Sequence, residues 1–184
     1  MDKRRHYELL KYIVFDFFIA MLTWALFYLY RKIAIEGLSF NINFLKDVKL
    51  LYGLAIIPSG WVLLYAIFDS YKDIYRLSRL SEITKTFFIA LLGTIVLFFT
   101  LILDDVVNGD TSYYYESFVV LFSTHFLLTG LVRMILLTRA SRLIKSGQVG
   151  FRTLVIGGNK NAVELYKEIA ERPQKLGYFF QRLY

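Results

Sequence analysis

The chain has 184 residues, of which 57% are hydrophobic and 20% are charged, and its formal net charge is +7. The hydrophobic share exceeds the ~45–50% of ordinary soluble domains, and the sequence contains no cysteine, which excludes disulfides, thiolate metal sites and cysteine nucleophiles. Many basic residues lie beside long apolar blocks, and this favours anionic lipid head groups over nucleic acid as their partner.

Four apolar blocks predict four transmembrane helices. A helix rises 1.5 Å per residue, so about 20 mainly apolar residues cross the hydrocarbon core of a bilayer. The blocks are residues 12–30, 50–68, 82–103 and 117–137. We therefore predict a mainly α integral membrane protein, with a four-helix transmembrane region over residues 1–147. The first block is too long for the apolar part of a signal peptide, so we expect this helix to be retained.

Local signals refine two of these helices. Pro58 is expected to kink the second. Ser81 is predicted to be the N-cap of the third, with Glu82 at the positive end of its dipole. The loop before it, residues 70–85, fits either a short interfacial helix or a helix extension packed on the protein itself, and both readings stay open.

The distribution of Lys and Arg predicts the orientation. The loop 104–116 contains four acids and no Lys or Arg, whereas the N-terminal flank, the loop 69–85 and the segment after the fourth block each carry several basic residues. Basic loops stay in the cytoplasm, so both termini are expected there. The first loop is an exception on the outer side, with Arg31, Lys32, Lys46 and Lys49. In the outer acidic loop, Asp104 and Asp105 fit a solvated helix end better than a cation site.

Ionisable residues interrupt the first and the fourth apolar block. Asp16 and Arg133 are ionisable residues inside predicted spans, which makes them candidates for function. Asp16 lies ~6 Å and Arg133 ~9 Å inside the inner boundary, at 1.5 Å per residue. Because these depths match, we favour a structural intramembrane ion pair over a functional site. His125, near the middle of the fourth block, fits a neutral histidine bonded to a neighbouring helix better than a proton relay.

After Gly150 the pattern changes to strand, glycine turn, helix and strand. This order predicts the start of a βαβ unit, and we assign residues 148–184 to an incomplete Rossmann-like segment. Gly157 and Gly158 are the only candidates for contact with a nucleotide. Asn159 stands where the dinucleotide fingerprint requires its second glycine, so we expect a structural turn. No Ser/His/Asp set, P-loop or metal-ligand spacing is present, and no catalytic, cofactor-binding or metal-binding residue is assigned.

The arrangement resembles the N-terminal half of bacterial polyprenyl-phosphate sugar-1-phosphate transferases. Four membrane helices precede RTLVIGGNKNAVELYKEI and LGYFF, and the inner loop reads DSYKDIYRLSRLSEITKTF. The resemblance spans essentially the whole chain. In that family a C-terminal domain, with a re-entrant helix and an Asp-Glu pair, uses Mg²⁺ to transfer a sugar phosphate to polyprenyl phosphate, which initiates exopolysaccharide, capsule or O-antigen synthesis. Every position that would match those catalytic residues lies beyond Tyr184.

The resemblance implies a membrane-anchoring region without its catalytic domain, in the inner membrane of a bacterium. It also implies that this chain holds no cofactor, because Mg²⁺ belongs to the missing domain. The expected partners are the lipid bilayer and proteins of polysaccharide assembly, with no nucleic acid; a homo-oligomer is left open. Two alternatives remain: the membrane front of a nucleotide-sugar dehydratase or epimerase, and a non-enzymatic module of a polysaccharide-assembly machine. The coding sequence downstream of Tyr184 discriminates among them.

Overall fold

Four long helices dominate the computed structural model of the chain, which describes residues 2–39, 41, 44, 46–72, 78–102, 112–149, 151–153, 159–171 and 178–180. The helices are α1 (Asp2–Tyr30), α2 (Val48–Ile67), α3 (Arg79–Leu97) and α4 (Ser112–Lys145). Short π-helical turns continue α1 over Arg31–Ile35 and α3 over Phe98–Ile102. All four helices are long and apolar enough to cross a membrane.

The helices are longer than the apolar blocks that predicted them. The first begins ten residues before position 12, and α4 has 34 residues, a length of ~51 Å against a hydrocarbon core of ~30 Å. Both helices continue into their charged flanks, because backbone hydrogen bonding does not stop where the apolar sequence stops. The N-cap of α3 is Ser78, which accepts a hydrogen bond from the Ser81 backbone nitrogen at 3.1 Å. The prediction of Ser81 as N-cap was therefore wrong.

The chain divides into two compact units, residues 1–134 and 135–184. The division falls inside α4, whereas the sequence had suggested a boundary after residue 147. In the first unit α1 packs on α2, and α2 packs on α3. The helices alternate in direction. The Tyr28 hydroxyl near the end of α1 donates to Asp47 at the start of α2, and the Lys85 ammonium of α3 donates to the Asp69 carbonyl just after α2. The Tyr30 hydroxyl at the end of α1 donates to Oε2 of Glu116 near the start of α4 at 3.4 Å. At that end Phe27, Tyr113 and Leu121 form a buried apolar cluster.

The polarity of the first unit is the reverse of that of a soluble protein. Large apolar side chains are exposed all along its helices: Phe18 is 57% exposed, Phe88 62% and Leu131 63%. Polar side chains are fully buried instead, among them Thr86, Thr94, Ser117, His125 and Arg133. An apolar exterior is what a bilayer requires of the protein surface, so the four helices are suited to a lipid bilayer.

The second unit contains the end of α4, two short strands and a helix. The strands β1 (Phe151–Thr153) and β2 (Tyr178–Phe180) pair in parallel, with Phe151 opposite Tyr178 and Thr153 opposite Phe180. Between them in sequence lies α5 (Lys160–Glu171), whose Ala162 nitrogen donates to the side chain of Asn159 at 3.1 Å. Three-residue strands do not establish a Rossmann-like domain, and that assignment stays a prediction.

Candidate functional site

The strongest concentration of chemistry in the first unit surrounds Arg133, whose side chain is completely buried. Its Nη2 donates to Oδ2 of Asp16 at 2.5 Å, and its Nε donates to Oδ1 of the same carboxylate at 3.2 Å. This two-point contact matches the planar guanidinium to the planar carboxylate, which is the strongest geometry for such a pair. The structure thus brings α1 and α4 together through the two residues that the sequence had singled out.

A second carboxylate reaches the same guanidinium from α3. Nη1 of Arg133 donates to Oε1 of Glu82 at 2.8 Å, and the Glu82 side chain is 1% exposed. The sequence had assigned Glu82 to the helix dipole, because the third span was taken to begin at that residue. The helix begins at Arg79 instead, so Glu82 lies within its first turn and at the depth of the ion pair. Its expected place in the first turn of the helix is confirmed, and no signal in the sequence indicated its contact with Arg133.

Two tyrosines complete the cluster from α2 and from the segment that follows it. The Tyr71 hydroxyl donates to Oδ2 of Asp16 at 3.0 Å, and the guanidinium carbon of Arg133 lies 3.9 Å from the centre of the Tyr65 ring. Burial, followed by the charge of Asp16, raises the pKa of Tyr71, so this phenol is a neutral donor. Together with Asp16, Glu82 and Arg133, these tyrosines connect all four membrane helices.

The position of Tyr71 also bears on the open question about the loop 70–85. Tyr71 is 9% exposed and bonds to the protein's own Asp16. This residue therefore packs on the helix bundle. Ile74, Tyr75 and Arg76, on which the interfacial-helix reading also depended, lie outside the described residues.

His125 is another fully buried polar residue of α4, eight residues before Arg133. Its ring is stacked on Trp61 of α2, with centres 3.7 Å apart and planes at 17°. Its Nε2 lies 3.4 Å from the Tyr65 hydroxyl and 3.5 Å from Oγ1 of Thr129. The expected bond to a neighbouring helix is therefore present. This contact also joins His125 to the Arg133 cluster, since Tyr65 belongs to both.

The cluster contains more carboxyl groups than guanidinium groups. Asp16 and Glu82 supply two carboxylates against the single guanidinium of Arg133. Within the described part of the chain, Oε2 of Glu82 and the hydroxyl of the buried Tyr12 have no hydrogen-bond partner. Buried polar atoms of this kind are costly unless they are satisfied. The arrangement can hold four helices in one register, and Glu82 is its least satisfied member.

The structure does not describe all of the residues that the sequence singles out. Gly157 and Gly158 lie outside the described residues, as do Asp104 and Asp105. Asn159 is described, and it caps α5 with its side chain. In the ranges that the structure covers, no three His, Asp or Glu side chains lie close enough together to hold a metal ion.

Comparisons with known proteins found no matching family model, no matching curated protein and no matching solved structure. Function is therefore inferred from the residues of this chain and from its resemblance to the sugar-1-phosphate transferases.

Proposed function

We propose that this chain is the membrane-anchoring region of a polyprenyl-phosphate sugar-1-phosphate transferase that initiates extracellular polysaccharide synthesis. The observation that carries the proposal is the order of its parts: four membrane-length helices, then a short parallel strand pair with α5 between the strands in sequence. The residues RTLVIGGNKNAVELYKEI, which bear the resemblance, occupy this second part. The proposal includes a Rossmann-like second part and a location in a bacterial inner membrane, with both termini in the cytoplasm.

The buried cluster supports an anchoring role over a catalytic one. Its donors and acceptors are used mainly on one another: Arg133 binds Asp16 and Glu82, and Tyr71 binds Asp16. A catalytic centre needs groups that can reach a substrate, whereas these side chains are 0–9% exposed. A buried guanidinium held by two helices fixes their relative position, which is what an anchor for a separate catalytic domain requires.

The decisive observation is the coding sequence that follows Tyr184. The proposal expects an open reading frame with a basic, re-entrant membrane segment and an Asp-Glu pair. A complete glycine fingerprint in that frame would assign the chain to a nucleotide-sugar dehydratase or epimerase instead. A stop codon would leave a non-enzymatic module of polysaccharide assembly.

The activity itself is tested with two proteins in the same membranes. The protein encoded by the continuing frame should transfer labelled sugar phosphate from a nucleotide-sugar to polyprenyl phosphate when Mg²⁺ is present. The 184-residue chain should leave the same substrates unconverted, because no three His, Asp or Glu side chains among its described residues lie close enough together to hold Mg²⁺ for such a reaction. If the 184-residue chain converts the substrates after contaminating enzymes have been removed, the proposal that this region anchors and a separate domain catalyses is wrong.

A further inference from the structure

A groove between the end of α1 and the start of α2 has a basic mouth and an apolar floor. Its volume is about 670 Å³, within the range of ligand pockets. Arg31, Lys32 and Lys49 lie among the residues of its mouth, and Trp24 and Ile56 belong to its floor. An outer loop is expected to carry few basic residues, yet the first loop carries four. Three of these four line the groove.

One of the three cations at the mouth of the groove, Lys49, is not used in an ion pair with the described residues. Among the described residues that line the groove, Glu36 is the only acid, and it pairs with Lys32 at 2.7 Å and with Arg31 at 3.6 Å. The neighbouring Asp47 is the N-cap of α2. Asp47 is itself occupied by the Tyr28 hydroxyl and the Lys49 backbone nitrogen. Within the described residues, the Lys49 ammonium makes no salt bridge, and it is available to an anion.

The charged and apolar parts of the groove lie at different depths. Lys49 is the second residue of α2, and Arg31 directly follows α1, so both mark the membrane interface. Ile56 lies seven residues further along α2, which is ~10 Å deeper at 1.5 Å per residue, and its side chain is 67% exposed. Tyr52 lies between these levels and is also exposed. A ligand that fills this groove needs an anionic group at the interface and a hydrocarbon chain below it.

We propose that this groove binds an anionic phospholipid of the leaflet on the side of the 31–47 loop. The phosphate lies against Lys49 and the Arg31–Lys32 pair, and one acyl chain follows the apolar floor past Ile56 towards Trp24. Charge complementarity selects an anionic head group, and the depth of the floor selects a lipid over a soluble phosphate. The site is separate from the Arg133 cluster and does not depend on the proposed function of the chain.

The test measures lipid binding to the full chain in detergent, by native mass spectrometry with phosphatidylglycerol and with phosphatidylcholine of the same acyl chains. We expect phosphatidylglycerol to bind more tightly. Lys49→Gln should weaken its binding about fivefold, since one lysine near a lipid surface contributes ~1 kcal/mol. Lys46→Gln removes an equal charge from the same loop without touching the groove, and it should leave the affinity unchanged.

A second variant tests the floor. Ile56→Trp adds apolar bulk at an exposed position of α2, so the helix remains compatible with the membrane while the path of the acyl chain is filled. It should weaken binding of phosphatidylglycerol, and glycerol phosphate should fail to displace the lipid. Equal affinity for both lipids, an equal loss in Lys46→Gln, displacement by glycerol phosphate, or a second copy of the chain covering the groove would each overturn the proposal.

Discussion

At the scale of single residues, breaking the buried ion pair of Arg133 should cost more stability than breaking a surface ion pair of the same chain. Lys72 and Asp69 approach to 2.7 Å, but their side chains are 72% and 57% exposed. Such pairs typically contribute 0–1 kcal/mol because water replaces the lost partner. Around Arg133 no solvent is available, so a deleted partner leaves a buried charge without compensation. Removal of one member of a buried pair typically costs ~3–5 kcal/mol.

The first prediction is a mutant cycle on this pair. Asp16→Asn and Arg133→Gln should each lower the free energy of unfolding in detergent by about 3–5 kcal/mol, and the double variant should lose less than the sum. The exchanged pair, with Arg at position 16 and Asp at position 133, should recover part of the loss. Glu82→Gln should cost less than Asp16→Asn, because Asp16 accepts two hydrogen bonds from Arg133 and one from Tyr71, whereas Glu82 accepts one from Arg133.

The control for this cycle is Glu164→Gln, which neutralises an exposed acid on α5. It should change the stability by no more than ~0.5 kcal/mol. Strictly additive effects of Asp16→Asn and Arg133→Gln would show that the two side chains are not coupled, which would contradict the ion pair.

Asp47 allows a prediction about pH. The hydrogen bond from the Tyr28 hydroxyl, with a further one from the Lys49 backbone nitrogen, lowers the pKa of Asp47 below its ordinary value of 3.8. A group whose pKa is lower in the folded than in the unfolded state stabilises the fold above its unfolded pKa. That stability is lost as the pH falls through the folded pKa. Acidification should therefore weaken the connection between α1 and α2.

Tyr28→Phe tests this second prediction. It should raise the pKa of Asp47 towards its ordinary value, measured from the carbon chemical shift of the carboxyl group by NMR. The loss of thermal stability between about pH 6 and about pH 3 should also be shallower than in the unmodified chain. Tyr52→Phe, which alters an exposed tyrosine of α2, should leave the Asp47 titration unchanged. If the pKa of Asp47 is unchanged in Tyr28→Phe, the hydrogen bond from Tyr28 is not what lowers it.

At the scale of helices, two tryptophans pack against glycines of the next helix. Trp24 of α1 lies on Gly53 of α2, and Trp61 of α2 lies on Gly93 of α3; at each glycine an added Cβ would overlap the indole ring. Small residues let helices approach closely within a membrane, where packing is a main source of association. The glycines therefore set the spacing of α1, α2 and α3.

The third prediction compares two glycine substitutions. Gly93→Ala forces Trp61 to move, and this ring also stacks on His125 at 3.7 Å. We expect a loss of about 1–3 kcal/mol, as for other overpacked interiors. Gly130→Ala adds the same methyl group to α4, where no atom lies within 4 Å, and the better helix propensity of alanine should leave stability unchanged or raise it by up to ~1 kcal/mol. Unfolding in detergent measures both, and effects of the same sign and size would refute the role of Gly93.

Different parts of this arrangement were accessible to the sequence to different degrees. The four spans were predicted because a bilayer imposes a minimum apolar length on each helix. The proximity of Asp16 and Arg133 followed from matched depth. Glu82 was correctly expected in the first turn of its helix, but its contact with Arg133 depends on the packing of α3 against α4. Tyr71 and the glycine–tryptophan contacts depend on which helices are neighbours, and hydropathy carries no information about that.

At the scale of the whole molecule, the contacts of the first unit restrict the membrane topology. Tyr30 lies beside Glu116 at one end of the bundle, so the loop after α1 and the start of α4 are on the same side. Asp16, Tyr71 and Arg133 meet towards the opposite end, which also holds the start of α3 through Glu82. Four alternating helices that cross a bilayer leave the segment after α2 on the side opposite the loop after α1.

The last prediction is the topology, with the loop 104–116 outside and the segment after α4 in the cytoplasm. The basic-free loop decides the orientation, because Lys and Arg in short flanks resist translocation and acids contribute little. Fusions of a compartment-sensitive reporter after Gly109 and after Gly147 should report opposite sides.

Fusions after Gly37 and after Lys72 are the internal controls: the first should match Gly109, and the second should match Gly147. The fusion after Gly37 is the most stringent test of the topology. The four basic residues of the first loop, taken alone, would predict that this loop stays in the cytoplasm. If Gly109 and Gly147 report the same side, α4 does not cross the membrane. If all four fusions report the reverse sides, the helices cross as described but the charge rule has been applied in the wrong direction.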